Sequence, residues 1–250
     1  MNRYVMTVGV FDGVHVGHQQ LLNRVRESSL KLSCKSKAYV ISYPFEYFLN
    51  EFDGLIMPLT DRILQVSKFV DEVEVLDLLQ IKDIPAEDFF DRYLLKNCSS
   101  LIVGKDFRFG KDASADVTRL KKMCDEKGIE LEIFPEVFDS QNRRVSSSLI
   151  RKLILNGHID EASKLLGREL CICGSVEKII EGSEKGFVIH INDKIVRPKN
   201  GIFEAFERNF RVNGLVKFDD KVTFISKDLH APPCSILKIV LSNHQKEAKI

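Results

Sequence analysis

Two histidines three residues apart, His15 and His18, stand in the stretch Thr7-Val8-Gly9-Val10-Phe11-Asp12-Gly13-Val14-His15-Val16-Gly17-His18. The apolar run ending at Val10 reads as a buried strand, the glycines as a turn, and the residues from Gly17 onward as the start of a helix. A first helical turn carries unpaired N–H groups and the positive end of a dipole, which together seat a phosphate. Gly17 lets an anion approach that backbone with no Cβ in the way. Histidines on both sides of the junction can face one bound anion and donate to it. Two other readings stand beside this one: a partial metal site, for which no third ligand is evident, and a structural pair with one ring capping the helix. On the phosphate reading, His15 and His18 are candidate catalytic residues, and Gly9, Phe11, Asp12, Gly13 and Gly17 candidate nucleotide-binding positions.

A second group is Arg143-Arg144-Val145-Ser146-Ser147-Ser148-Leu149-Ile150-Arg151. Serines directly before the run Leu149, Ile150, Leu153 and Ile154 belong at a helix N-terminus. The plain reading is an N-cap with solvated arginines. The chemical one is a further anion seat, where hydroxyls, free N–H groups and Arg144 or Arg151 hold phosphates. A third group, Val103-Gly104-Lys105-Asp106-Phe107-Arg108-Phe109-Gly110-Lys111, follows a candidate strand directly. Two aromatics between glycines and basic residues suggest a shaped pocket, with ordinary packing as the alternative. No G-x-x-x-x-G-K-[ST] loop occurs, which disfavours a Walker-type kinase or ATPase.

The elements that must position these groups alternate in type. Val5–Val10, Ala38–Ser42, Glu72–Leu76, Ser100–Val103 and Glu130–Phe134 are short strand candidates. Gly17–Leu32, Asp61–Phe69, Ala86–Lys96 and Val117–Lys127 lie between them with helical spacing of apolar residues. This pattern predicts an α/β fold with a doubly wound, mainly parallel sheet, which binds ligands outside the carboxyl ends of its strands. Helices Ser146–Asn156 and Ile159–Leu166 follow, and Gly167 suits a C-cap. After Arg168, the segments Cys171–Ile180, Gly186–Ile191, Gly201–Phe206, Val212–Phe218 and Lys221–Ser226 predict a small β domain, a partial barrel. The expected domains are therefore residues 1–168 and 169–250. With about 80 residues the second has a thin core and is expected to lean on the first. The polar tail from Ser242 is expected to fray.

Composition narrows the partners. Of 250 residues, 37 are Lys or Arg and 36 are Asp or Glu, so the net charge is +1. A near-neutral chain has no general pull towards nucleic acid or anionic membranes. No window nears the roughly 20 apolar residues of a membrane span, and the first ten residues lack a signal-peptide cleavage site. Six scattered cysteines form neither a disulfide framework nor a zinc site, and are expected as reduced thiols in a cytoplasmic protein. Oligomeric state is not legible at this level.

Taken in order, the three groups resemble the HxGH nucleotidyltransferase superfamily and, within it, the prokaryotic FAD synthetases, bifunctional riboflavin kinase/FMN adenylyltransferases. That family carries G-x-F-D-G-V-H-x-G-H, then V-G-x-[DN]-F-x-F-G, then R-x-S-S-[TS]-x-I-R, and the match spans roughly residues 5–168, including Leu165-Leu166-Gly167-Arg168. The resemblance implies transfer of AMP from ATP to FMN, giving FAD and pyrophosphate, with Mg²⁺. His15 and His18 would contact the ATP phosphates, and Arg144, Ser147, Ser148 and Arg151 would form a second phosphate site. Gly104, Asp106, Phe107 and Phe109 would lie at the nucleotide and flavin pocket. The FMN phosphate, already largely ionised at neutral pH, would attack the α-phosphorus in line, so alignment and charge stabilisation are the protein's tasks. Ser148 stands where many members have threonine and keeps the hydroxyl. Asp106 stands where some have asparagine, which leaves its role open. The aromatics of Ser42-Tyr43-Pro44-Phe45-Glu46-Tyr47-Phe48 would face the isoalloxazine ring or simply pack under a loop.

The resemblance breaks in the second domain. The family's kinase stretch G-F-P-T-A-N corresponds to Gly186-Phe187-Val188-Ile189-His190-Ile191, in which proline, threonine and asparagine are all missing. Pro198-Lys199-Asn200-Gly201-Ile202-Phe203 still resembles the family's P-x-x-G-V-Y, and the chain ends sooner than a full kinase module. The expectation is a degenerate kinase-like remnant without riboflavin kinase activity. Rival readings are a nucleotidyltransferase for another phosphorylated acceptor and a catalytically silent flavin- or nucleotide-binding paralogue.

Overall fold

Strand β1 (Tyr4–Gly9) runs through the middle of a sheet and its centre is buried on both faces: Val5, Met6 and Val8 are apolar, and Thr7 is the one polar side chain among them. In the computed structural model, which describes residues 3–49, 52–180, 185–192, 194–209, 211–228 and 236–242, β1 pairs in parallel with two neighbours. One is β2 (Lys35–Ile41) and the other β4 (Cys98–Gly104). With β3 (Glu72–Leu76) and β5 (Glu130–Phe134) at the edges, the order is β3-β2-β1-β4-β5. Successive strands are added outward from β1 to β3, and the chain then crosses back to the other side of β1. That reversal is a topological switch point, where parallel sheets leave room for a ligand. Here the room is visible in the register. Pairing of β1 with β4 runs only from Tyr4–Cys98 to Met6–Leu101, although the strands continue to Gly9 and Gly104. Pairing with β2 persists to Gly9–Val40.

Met6 and Val8 pack with Phe89, Phe90, Leu94, Leu101 and Leu120 in the core of one sheet face. Helix α1 (Val16–Lys31) packs against β1 and β2 and buries Leu21, Leu22 and Val25. Helix α2 (Leu59–Val66) starts earlier than its apolar spacing predicts, because Pro58 precedes it in a conformation suited to a helix start. A single turn, α3 (Leu78–Ile81), escapes sequence detection through its shortness. The predicted helix from Ala86 is α-helical as α4 (Ala86–Phe89) and then widens to π geometry over Phe90–Leu95. Helix α5 (Val117–Lys127) is capped by the Asp116 carboxylate, which accepts from the N–H groups of Thr118 and Arg119, and it ends on Gly128.

The chain forms two compact units, Met1–Glu51 with Pro58–Val145, and Phe52–Met57 with Ser146–Ile250. These compact units divide between Val145 and Ser146. Helix α6 (Ser147–Leu155) packs on α7 (Ile159–Leu166), and α7 packs on the last barrel strand, so both helices group with the barrel. The segment Phe52–Met57 joins them: Leu55 pairs in parallel with Ile195, donating to Lys194 O at 2.6 Å and accepting from Val196 N at 2.9 Å. Gly54 makes this possible, since a Cβ there would sit 2.7 Å from Val196 N, at a φ of +103°.

The second unit contains β6 (Cys171–Ile180), β7 (Gly186–His190), β8 (Gly201–Glu207), β9 (Val212–Phe218), β10 (Val222–Ile225) and β11 (Ile236–Ser242). They close in the order β10-β7-β6-β11-β8-β9, every pairing antiparallel. The partial barrel of the sequence reading is therefore corrected to a closed one. The missing piece is β11, whose Leu237, Ile239 and Leu241 are buried around an exposed Lys238 and which joins β6 to β8. Ser242 ends this strand, and the rest of the expected fraying tail lies outside the described residues, as does Cys234. The five described cysteines are free thiols, and burial pushes Cys98 up to about 12 and Cys124 up to about 11. Among the described residues no helix is long and apolar enough to cross a membrane.

Closure by β11 gives a direct test. Leu237→Ala is expected to cost about 3 kcal/mol through lost burial and the cavity left behind. Lys238→Ala on the same strand should stay within about 0.5 kcal/mol. Urea denaturation followed by circular dichroism reads both, and equal effects would mean that β11 does not close the barrel.

Candidate active site

The loop leaving β1 is strained. Phe11 adopts φ 53° and ψ 33°, Gly13 φ 74° and Val14 φ 40°. Positive φ at a β-branched residue is rare, and such strain costs of order 1–3 kcal/mol per residue unless the surroundings enforce it. They do. Phe11, Asp12 and Val14 are buried, the Val14 amide donates to Phe11 O at 3.0 Å, and Gln19 Nε2 donates to Val14 O at 2.8 Å.

Beneath this loop lies a residue the sequence reading passes over. Arg62, on α2, is fully buried, and its guanidinium donates to Val10 O at 2.7 Å, Ile41 O at 3.1 Å and Ser42 O at 2.8 Å. It thus gathers the backbone just beyond β1 and at the end of β2. The only hint in sequence is that Arg62 shares a helical face with Val66, four residues on, which is also buried.

His15 caps α1: its Nδ1 accepts the His18 amide N–H at 3.3 Å. An accepting Nδ1 carries no proton, so the N–H of the neutral ring sits on Nε2. The two imidazoles stack with centroids 3.6 Å apart and planes 19° from parallel, and Phe11 meets the His18 ring edge-on at 5.3 Å. Gly17 leaves space for this, because a Cβ there would lie 3.2 Å from His15 Nδ1. Burial, then the charges of His15 and Arg62, holds the His18 pKa well below its usual value. His18 is therefore held towards its neutral form. His18 Nδ1 and Thr7 Oγ1 are buried with no hydrogen-bond partner among the described residues.

On the far side of the switch point, the loop after β4 carries the third sequence group. Lys105 and Asp106 are exposed, and Phe107 N–H donates to Gly104 O at 3.0 Å. Phe107 stacks on Phe109 at 5.4 Å, and Phe109 is enclosed in the core against Phe89 at 5.8 Å. Phe109 is thus packed as a core side chain, and Gly104 and Asp106 form the open part of the loop. After β5 the chain turns back on itself, Phe138 pairing with Arg144 and Val145 N–H donating to Val137 O at 2.8 Å. Arg144 leaves this turn held by two carboxylates, Asp106 Oδ2 at 2.5 Å from Nη2 and Glu136 Oε1 at 3.1 Å from Nε.

In the second unit, Ser146 is the N-cap of α6, its Oγ accepting the Leu149 N–H at 3.2 Å. Ser147 and Ser148 occupy the first turn, and Arg151 Nε donates to Gly54 O at 2.8 Å with its guanidinium 5.1 Å from the Phe52 ring centroid. The candidate catalytic residues accordingly divide: His15, His18 and Arg144 belong to the first unit, and Ser147, Ser148 and Arg151 to the second. In the aromatic segment after β2, Tyr43 and Tyr47 stack at 4.2 Å, while Phe45 and Phe48 are exposed. Among the described residues no group of three or more His, Cys, Asp or Glu could hold a metal ion. Mg²⁺ commonly rides on substrate phosphates with one or two carboxylates, and Asp12 and Asp106 are the carboxylates of the two loops at the switch point.

A model of the FAD synthetase family matches residues 1–149, over which all of this first-unit geometry is built. The chain belongs to the FAD synthetase family. It is an enzyme of the nucleotidyltransferase type. An FAD synthetase from Listeria monocytogenes is 29% identical over 208 residues, covering 80% of each chain. A bifunctional riboflavin kinase/FMN adenylyltransferase from Bacillus subtilis is 28% identical over 250 residues, covering 93% of this chain and 77% of its own. Another from Pseudomonas fluorescens is 33% identical over 177 residues, covering 69% of this chain and 57% of its own. In fold, the chain is similar along its whole length to a macrolide-efflux protein structure from Streptococcus pneumoniae, with a TM-score of 0.84, 22% identity and 88% of that chain covered.

For this member of the family, two outcomes are expected from the geometry. Arg62→Met should destabilise the protein by about 3 kcal/mol or more, since three carbonyls lose their donor; a loss below 1 kcal/mol in denaturant titration would show that they find other partners. His18 should remain neutral at pH 6 in an NMR titration. Its depressed folded pKa means that the unfolded chain takes up the proton first, so stability falls as pH drops through and below about 6.5, and His18→Gln should flatten that fall.

Proposed function

We propose that this enzyme is an FMN adenylyltransferase, FMN + ATP → FAD + pyrophosphate, without riboflavin kinase activity. The observation that carries the reading is the stacked His15–His18 pair at the amino end of α1, on the switch point of the sheet. An FMN phosphate oxygen attacks the α-phosphorus, the bond from that phosphorus to the α,β-bridging oxygen breaks, and the bridging oxygen leaves with the β- and γ-phosphoryl groups as pyrophosphate. His15 Nε2–H and the His18 ring donate to the phosphate oxygens on which charge grows, and the helix N-terminus adds its own N–H groups. Arg144 holds further phosphate oxygens. Bound with ATP, Mg²⁺ supplies charge neutralisation on the phosphates, and Asp12 or Asp106 would complete its coordination. For the second unit, the amino end of α6 is an anion seat with Ser147, Ser148 and Arg151 as donors, and pyrophosphate suits it. Asp106 and the exposed aromatics after β2 would meet the nucleotide and flavin.

Two observations support loss of the kinase. Ile189 and Ile191, standing where the family motif has threonine and asparagine, are buried side chains of the barrel unit. They offer neither hydroxyl nor amide to a phosphate or metal. The Listeria monocytogenes relative covered to the same 80% as this chain bears the single name FAD synthetase, and a second protein of that organism bears the bifunctional one.

The test is a chromatographic assay with ATP and Mg²⁺, run separately with FMN and with riboflavin. FAD from FMN and nothing from riboflavin is the expected result. FMN from riboflavin would overturn the kinase half, and no product from FMN would overturn the transferase half. His18→Ala should lower turnover by about a hundredfold or more, with melting temperature changing by only a few degrees. Unchanged turnover with a lower melting temperature would make the histidine structural.

A further inference from the structure

Arg144 does not stand free to wait for an anion. Its Nε is tied to Glu136 Oε1 at 3.1 Å and its Nη2 to Asp106 Oδ2 at 2.5 Å. The two carboxylates differ in kind. Asp106 lies on the exposed loop after β4, its side chain more than two-thirds exposed, so solvent or another anion can replace it. Glu136 sits two residues beyond β5, is 28% exposed, and has a second cation, Lys105 Nζ, 3.9 Å from its other oxygen. Glu136 also stands at the root of the turn whose return strand carries Arg144, fixed by the Val145–Val137 hydrogen bond and the Phe138–Arg144 pairing. Holding a guanidinium through Nε restricts its plane, and the displaceable contact is then the one at Nη2, to the exposed Asp106. A guanidinium whose plane is set in advance can engage a phosphate with two parallel bonds.

We propose that Glu136 is a positioning residue for nucleotide binding: it orients Arg144 through Nε, while Asp106 occupies the Nη edge until a phosphate takes that place. This rests on the reading of Arg144 as a phosphate ligand. Without Glu136 the arginine keeps its charge but must order several rotatable bonds when the nucleotide binds, which weakens binding without touching the reacting atoms. Glu136→Gln keeps an acceptor for Nε and the same shape.

Isothermal titration of ATP in the presence of Mg²⁺, together with steady-state kinetics at saturating FMN, separates the possibilities. Glu136→Ala should raise the ATP Kd and KM about tenfold, with kcat within about threefold, and Glu136→Gln should recover most of the loss. In the Arg144→Ala background, removing Glu136 should cause no further weakening. Full additivity of the two substitutions, or an unchanged Kd in Glu136→Ala, would overturn the role of Glu136. An unchanged Kd in Arg144→Ala would instead overturn the phosphate-binding reading of the arginine. A change confined to melting temperature would reduce Glu136 to a surface ion pair.

Discussion

Three backbone oxygens, those of Val10, Ile41 and Ser42, converge on the buried guanidinium of Arg62, and the arrangement around the switch point follows from that convergence. Where β1 and β2 end, their carbonyls run out of ladder partners, and a sheet that stops in the protein interior must satisfy them from elsewhere. Water would do so in an open cleft. An arginine with several donors in one plane does so while keeping the backbone fixed, and it adds a buried positive charge close to the ends of β1 and β2. The parting of β1 from β4 beyond Met6 and Leu101 is affordable only because one bank of the gap is tied down in this way.

The same charge explains why two stacked imidazoles are tolerable. Rings 3.6 Å apart would repel if both were protonated. Burial, the neighbouring ring and Arg62 all act on His18 in one direction, towards the neutral form. A neutral donor brings no counter-ion of its own into the site and can release the product without breaking a full ion pair. The strained backbone at Phe11 and Val14 leads directly into the start of α1, where the two rings stack.

The sequence pattern was most informative where the physics is local. The strands Glu72–Leu76 and Glu130–Phe134 and the helix Val117–Lys127 fall where their periodicity puts them. The glycines and histidines of the first loop mark the turn and the start of α1, because each residue type there answers a steric or hydrogen-bonding need. What stayed hidden depends on partners far along the chain. Arg62 looks like any surface arginine until three carbonyls are brought to it. Glu136 gains a role only when the turn after β5 returns Arg144 beside it. β11 shows the alternation of a strand, yet its importance lies in joining β6 to β8, which no single segment reveals. Phe109 fits an aromatic pocket in sequence and proves to be core, since the loop containing it folds inward against Phe89.

The short run Phe52–Met57 carries a consequence of a different kind. It belongs to the barrel-bearing unit while the chain on both sides belongs to the sheet, and it is held there by Leu55 against Ile195 and by Gly54 under Arg151. A genetic exchange with one crossover near residue 145 would deliver a second unit lacking this piece. The recipient sheet would supply a substitute from a foreign sequence, without the glycine that the close approach to Val196 demands. The two units are therefore poor candidates for independent shuffling between genomes, and their histories should run in parallel.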